Sequence, residues 1–211
     1  MTSYTQLARN LGGDRSWSFN QLMPGQLWMR LFTKTIGGIC WATTMEWIIG
    51  EENGKPLKDS LGSDFSLNSD AYKALIAMQR NTPAQSQVQA SLLASKCGVA
   101  IKATGASNGK LKLFGATRSA GLAKYLSSNY PHNYVLIKVK KRATSSGGHV
   151  FAAKLPKTGD LKFFDSNEGE FTFDQSKRQN FCLFVGQYME KAYSHQGEWW
   201  CYQGSMKNGG G

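Results

Sequence analysis

Apolar positions follow two regimes along the chain. Up to about residue 128 they recur at helical spacing, and from Tyr134 onward they gather in short alternating or β-branched runs. Met45, Ile48 and Ile49 stand at i, i+3 and i+4, which predicts a helix over 40–49 closed by Gly50. Asn68 or Ser69 caps a second helix to Arg80, with Tyr72, Leu75, Ile76 and Met78 as its stripe. Pro83 opens a third helix over 83–96, ended by Gly98. A short strand is predicted over 99–103 and a fourth, short helix over 117–128. Residues 134–139, 149–155 and 161–165 then read as strands, the last two joined by a turn over 156–160. Two more strands are predicted at 171–173 and 181–185. Helices first and antiparallel strands later make an α+β domain.

That domain spans 35–205. Residues 1–34 hold Tyr4, Trp17, Phe19, Trp28 and Phe32 with no readable period and stay unassigned. Residues 206–211, ending in three glycines, read as a flexible tail.

The chain has 211 residues, 41% of them hydrophobic, enough to bury a core of its own. No stretch approaches the ~20 apolar residues that span a bilayer. The first residues, Met1-Thr2-Ser3-Tyr4, lack both a signal-peptide pattern and the glycine that myristoylation requires. The four cysteines, Cys40, Cys97, Cys182 and Cys201, include no C-x-x-C pair and predict neither a metal site nor any other cofactor. They read as free thiols of a reducing compartment. The net charge of +11 attracts anionic surfaces, but it is dispersed. Its densest run, 138–142, reads as a solvated strand end, so nucleic acid is not an expected partner.

Cys40 differs from the other cysteines in its surroundings. Gly37-Gly38 permits a tight turn and a helix starts at the cysteine, where the helix dipole favours a thiolate. Its backbone N–H is one of the unpaired donors of the helix start and can face an oxyanion. A buried cysteine that merely packs after a glycine turn fits the same segment. The chain has three histidines, and His149 alone follows a Gly-Gly and opens a strand. A symmetric turn pairs Phe151 with Asp165 and His149 with Asn167. All four then share one face, and that register or one slipped by two puts a carboxylate within reach of the imidazole. Residues 165–169, rich in turn formers, also fit a simple turn. Asp165 would orient His149, with Asn167 as a second orienting candidate.

Gly38-Ile39-Cys40, Gly148-His149-Val150 and the stretch from Phe164 through Asp165, Asn167 and Gly169 to Phe171 together resemble the YopT/AvrPphB family of bacterial effector cysteine proteases. The order Cys, His, Asp matches. The resemblance implies a papain-like fold in which a helical part carries the cysteine and an antiparallel sheet carries the histidine and aspartate. It implies peptide-bond hydrolysis through a thioester, with Cys40, His149 and Asp165 as the triad. It also implies signal-peptide-independent export from a bacterium and action in a target cell, in its cytoplasm or at its membranes. The expected partners are a protein substrate, an anionic membrane surface and a secretion chaperone or immunity protein. Papain-like enzymes usually place an Asn or Gln shortly before the cysteine as an oxyanion donor. Residues 31–36 hold none, so the candidates are the hydroxyl of Thr35 (or of Thr33) and the Cys40 backbone. Two other readings remain open. One is a Cys-His-Asp acyl-transfer enzyme: transglutaminase, deamidase, acyltransferase or cell-wall amidase. The other is a basic module binding nucleic acid or anionic lipid.

Overall fold

A computed structural model describes residues 3–20, 39–61, 70–81, 99–102, 118–128, 132–140, 148–193 and 198–206. Helix α1 (Tyr4–Asn10) leads into strand β1 (Gly13–Trp17). Helices α2 (Cys40–Glu52) and α3 (Asp70–Asn81) come next, with a 3-10 turn at Leu57–Ser60. Strand β2 (Val99–Lys102) precedes helix α4 (Arg118–Ser128). Strands β3 (His132–Lys140), β4 (Gly148–Leu155), β5 (Leu161–Asp165) and β6 (Gly169–Phe173) follow. Helix α5 (Arg178–Tyr193) and strand β7 (Glu198–Met206) complete the described elements.

All seven strands form one antiparallel sheet in the order β1-β6-β5-β4-β3-β7-β2. Both of its faces are covered. Phe151, Ala153, Phe163 and Phe171 pack against α1, α4 and α5, while Val150, Ala152 and Phe164 pack against α2 and α3. This explains why β4 is apolar at successive positions instead of alternating with polar ones. Burying each large side chain contributes roughly 1.5–3 kcal/mol, and the aromatic cluster around Phe163, Phe171, Phe184 and Tyr188 concentrates that gain.

Helix α2 is buried nearly all round, from Cys40 through Met45 to Ile48, so its apolar surface is wider than a single stripe. It is docked on the sheet by polar bonds along its length. Trp47 lies flat on Phe164, 5.4 Å between ring centroids, and its Nε1 donates to Glu170 Oε2 at 2.7 Å. Near its far end, Glu51 accepts from Lys154 at 3.0 Å and from Lys162 at 2.8 Å, and Tyr134 donates to Glu52 at 2.6 Å.

Three expectations change. Gly50 does not close α2: the helix runs on to Glu52, and a Cβ at Gly50 would lie 2.5 Å from the Lys55 carbonyl oxygen. Gly50 is therefore a close-approach glycine. Residues 181–185 are helical, not extended, because Phe181, Phe184, Val185, Tyr188 and Met189 together keep the 3.6-residue period and Leu183 faces solvent. The predicted pairing of Phe151 with Asp165 is present, but the ladder stops there. His149 has no partner on β5, and Asn167 sits in the turn between β5 and β6. The tail expected over 206–211 begins one residue later, since Met206 closes β7; residues 207–211 and the helix expected over 83–96 lie outside the described residues. Among the described residues, no helix is long and apolar enough to cross a membrane.

Candidate active site

The site forms where β5 runs out. His149 is the second residue of β4, and it shares the parity of Phe151, whose ring its own meets edge-on at 4.6 Å. Asp165 is the last residue of β5, opposite Phe151. The imidazole Nε2 lies 2.7 Å from Asp165 Oδ1. With Nε2 taken by the carboxylate, Nδ1 is the nitrogen left for the cysteine. Cys40 opens α2 on the other face of the sheet, and its sulfur interacts with His149 and with the backbone N–H of Val150. All three groups are buried: Cys40 is 5% exposed, His149 7% and Asp165 not at all.

Four donors surround the Asp165 carboxylate. His149 and the Asn167 backbone N–H, the latter at 2.7 Å, serve Oδ1. Tyr188 and Tyr193 donate to Oδ2 at 2.5 and 3.0 Å. Burial alone raises a carboxyl pKa, but His149, Tyr188 and the Asn167 N–H outweigh it and hold Asp165 below the usual range. Burial likewise opposes a charge on His149, yet Asp165 and Cys40 push its pKa up to about 10. For Cys40, burial raises the thiol, while the His149 charge and hydrogen bond and the Val150 N–H bring it below the ordinary value. The arrangement favours a thiolate–imidazolium pair oriented by a carboxylate.

The other described thiols behave differently. Burial pushes Cys182 up to about 11 and Cys201 up to about 12. Cys97 lies outside the described residues, as do Thr33 and Thr35. The Cys40 backbone N–H stands at the open start of α2, since Thr43 is the residue whose N–H bonds to Ile39 O at 3.0 Å. Asn167 is drawn into the cluster by another route than strand pairing: its Nδ2 donates to Tyr193 Oη at 3.0 Å and lies 3.4 Å from His149 Nε2.

Tyr188 and Tyr193 were not legible as site residues. Tyr193 also lies parallel to the imidazole, 5.4 Å between centroids with 14° between planes. Both tyrosines come from the end of α5, and only the full helical period of 181–189 points their hydroxyls toward β5. Among the described residues no group of three His, Cys, Asp or Glu side chains is placed to hold a metal ion.

Among solved structures, the Pseudomonas avirulence protein AvrPphB superposes with a TM-score of 0.56 over 79% of this chain and 90% of its own, at 12% identity. The chain has the AvrPphB fold. It is the papain-like α+β arrangement, with the cysteine helix packed on an antiparallel sheet. PatoxP, the cysteine protease-like domain of the Photorhabdus asymbiotica toxin PaTox, gives a TM-score of 0.49 at 13% identity over 97% of this chain and 57% of its own. The YopT domain of the Pasteurella multocida PfhB2 toxin gives 0.30 at 19% identity, over 88% and 90%. No family model and no curated protein sequence matches the chain.

Proposed function

We propose that this protein is a cysteine protease of the bacterial effector or toxin type, with Cys40 as nucleophile, His149 as general base and acid, and Asp165 as the residue that orients His149. The observation that carries the reading is the imidazole held between a buried carboxylate, at 2.7 Å, and a buried thiol at a helix start whose pKa is lowered. A structural cysteine in an apolar core is pushed the other way, as Cys182 and Cys201 are.

The Cys40 thiolate attacks the scissile carbonyl carbon, and the C=O electron pair moves to the oxygen, which the Cys40 N–H stabilises. Collapse of that intermediate expels the amine, which takes a proton from His149, and leaves a thioester. Neutral His149 then removes a proton from water as it attacks the thioester. The acid leaves, the sulfur returns as thiolate and His149 is again protonated. Asp165 keeps its charge throughout, and its bond to Nε2 holds Nδ1 toward the sulfur.

The substrate is a protein of the target cell. The fold shared with an avirulence protein supports export from a bacterium, and the net charge of +11 supports action at an anionic membrane face. A secretion chaperone or immunity protein is part of the same reading.

The test compares target-cell lysate treated with the wild-type chain and with Cys40→Ala. New protein N termini that require Cys40 support proteolysis. Cys40-dependent mass gains of about one unit, or crosslinked adducts without fragments, replace it with deamidation or acyl transfer, because they report a different fate of the acyl-enzyme. Equal fragment patterns for the two chains overturn the assignment of Cys40.

A further inference from the structure

Val150 follows His149 on β4, beyond the last residue that β5 pairs. In an antiparallel ladder the N–H and C=O of one residue point toward the same neighbouring strand. At Val150 both groups instead face α2. Its carbonyl oxygen accepts from Thr44 Oγ1 at 3.2 Å, and its N–H lies close enough to the Cys40 sulfur to help lower the thiol's pKa. The first turn of α2 thus stands where β5 would have continued.

Two threonines near that turn divide their work. Thr43 bonds back to Ile39 O at 2.9 Å, the ordinary use of a hydroxyl within a helix. Thr44, fully buried, sends its hydroxyl out of the helix to a strand 106 residues away in sequence. It lies one helical turn beyond Cys40, on the same face of α2.

We propose that Thr44 is a positioning residue: its hydroxyl clamps the helix that carries Cys40 to the strand that carries His149 and so sets the spacing of thiol and imidazole. This rests on the Cys40–His149 reading above. Without the hydroxyl, the Val150 carbonyl becomes a buried acceptor lacking a partner, and relief comes from moving the first turn of α2 or admitting water. Either change takes the sulfur off the Val150 N–H and off the imidazole. The docking bonds at Trp47, Glu51 and Glu52 remain, so the helix stays on the sheet while its reactive end shifts.

The experiment measures the rate of iodoacetamide alkylation at Cys40 against pH, by peptide mass mapping, in the wild-type chain, Thr44→Val and Thr44→Ser. Near-ultraviolet dichroism verifies folding. Wild type should show a midpoint below that of an ordinary thiol, and Thr44→Ser should match it. Thr44→Val should move the midpoint up by about one unit and slow alkylation below it about tenfold. If Thr44→Val does not fold, Thr44→Ala, with less volume to accommodate, takes its place. A folded hydroxyl-free variant with the wild-type profile overturns the clamp, and so does a Thr44→Ser profile displaced as far as that of Thr44→Val. A wild-type Cys40 that titrates as an ordinary thiol is a different result: it overturns the activated-cysteine reading itself and the clamp with it.

Discussion

A buried carboxylate without partners would take up a proton, and Asp165 escapes that through its donors on both oxygens. Its charge is what lifts His149, and His149 is what lowers Cys40, so the cluster behaves as one electrostatic unit. Asp165→Asn keeps the shape and removes the charge. Turnover should then fall at least about a hundredfold, and the alkylation midpoint of Cys40 should rise toward that of an ordinary thiol. Measuring kcat/KM together with alkylation separates this from simple unfolding. The pH dependence has a definite sign. Reactivity should appear as pH rises through the lowered Cys40 titration, and under the proposed mechanism turnover should decline as pH passes about 10, where His149 loses its proton. Stability follows Asp165 in the opposite region. Its folded pKa lies below its unfolded value of about 3.9, so its contribution is complete above that pH and is lost as pH falls through the lower, folded value. Urea titrations from pH 5 to pH 2 should therefore show a steeper loss in wild type than in Asp165→Asn.

Helix α5 supplies what strands β4 and β5 leave unfinished. Tyr188 is fully buried and burial, with Asp165 beside it, raises its pKa well above the ordinary value, so it remains a donor across the working pH range. Tyr188→Phe removes that donor at little change of volume. It should cost about 1–3 kcal/mol in denaturant unfolding and raise the pKa of Asp165, weakening His149 in turn. Loss of activity with no change in the Cys40 alkylation profile would count against this link. The hairpin of β4 and β5 was readable because its strands are short apolar runs rich in phenylalanine and its turn holds Pro156 and Gly159; the symmetric register then set Phe151 opposite Asp165. The end of α5 was not readable from the five-residue run Phe181 to Val185, since so short an apolar run fits a strand or a buried helix equally. Strand β1 was missed for another reason. Gly13-Asp14-Arg15-Ser16-Trp17 is polar and half exposed, and it is a strand through tertiary pairing with β6 instead of local propensity.

On the scale of the molecule, residues 3–20 and the site are one structure. Strand β1 pairs with β6, and the segment after it lies across the turn that bears Asn167. Phe19 N–H meets the Glu168 carbonyl at 3.4 Å, and Arg15 Nη2 donates to the Glu168 carboxylate at 2.6 Å. Arg15 also sits over the Phe171 ring, 5.2 Å from its centroid. Gly169 makes this contact feasible. Its φ of +101° belongs to the region glycine tolerates, and a Cβ there would fall 2.2 Å from Trp17 O. An alanine must therefore adopt a strained backbone and push β1 away from the turn. The strain alone is of order 1–3 kcal/mol, and lost contacts of β1 add to it. Gly169→Ala should lower the unfolding midpoint and, because the displaced turn carries the Asn167 N–H that binds Asp165, should also raise the Cys40 alkylation midpoint. Arg15→Met separates the two effects. It keeps an apolar stem beside Phe171 and removes a partly exposed ion pair, worth up to about 1 kcal/mol, together with the guanidinium contact on the Phe171 ring. Its unfolding midpoint should shift less than that of Gly169→Ala, and its Cys40 titration should remain that of wild type. Equal shifts in both variants would mean that Arg15, not the close packing of Trp17 on Gly169, holds the turn beneath the Asp165 carboxylate.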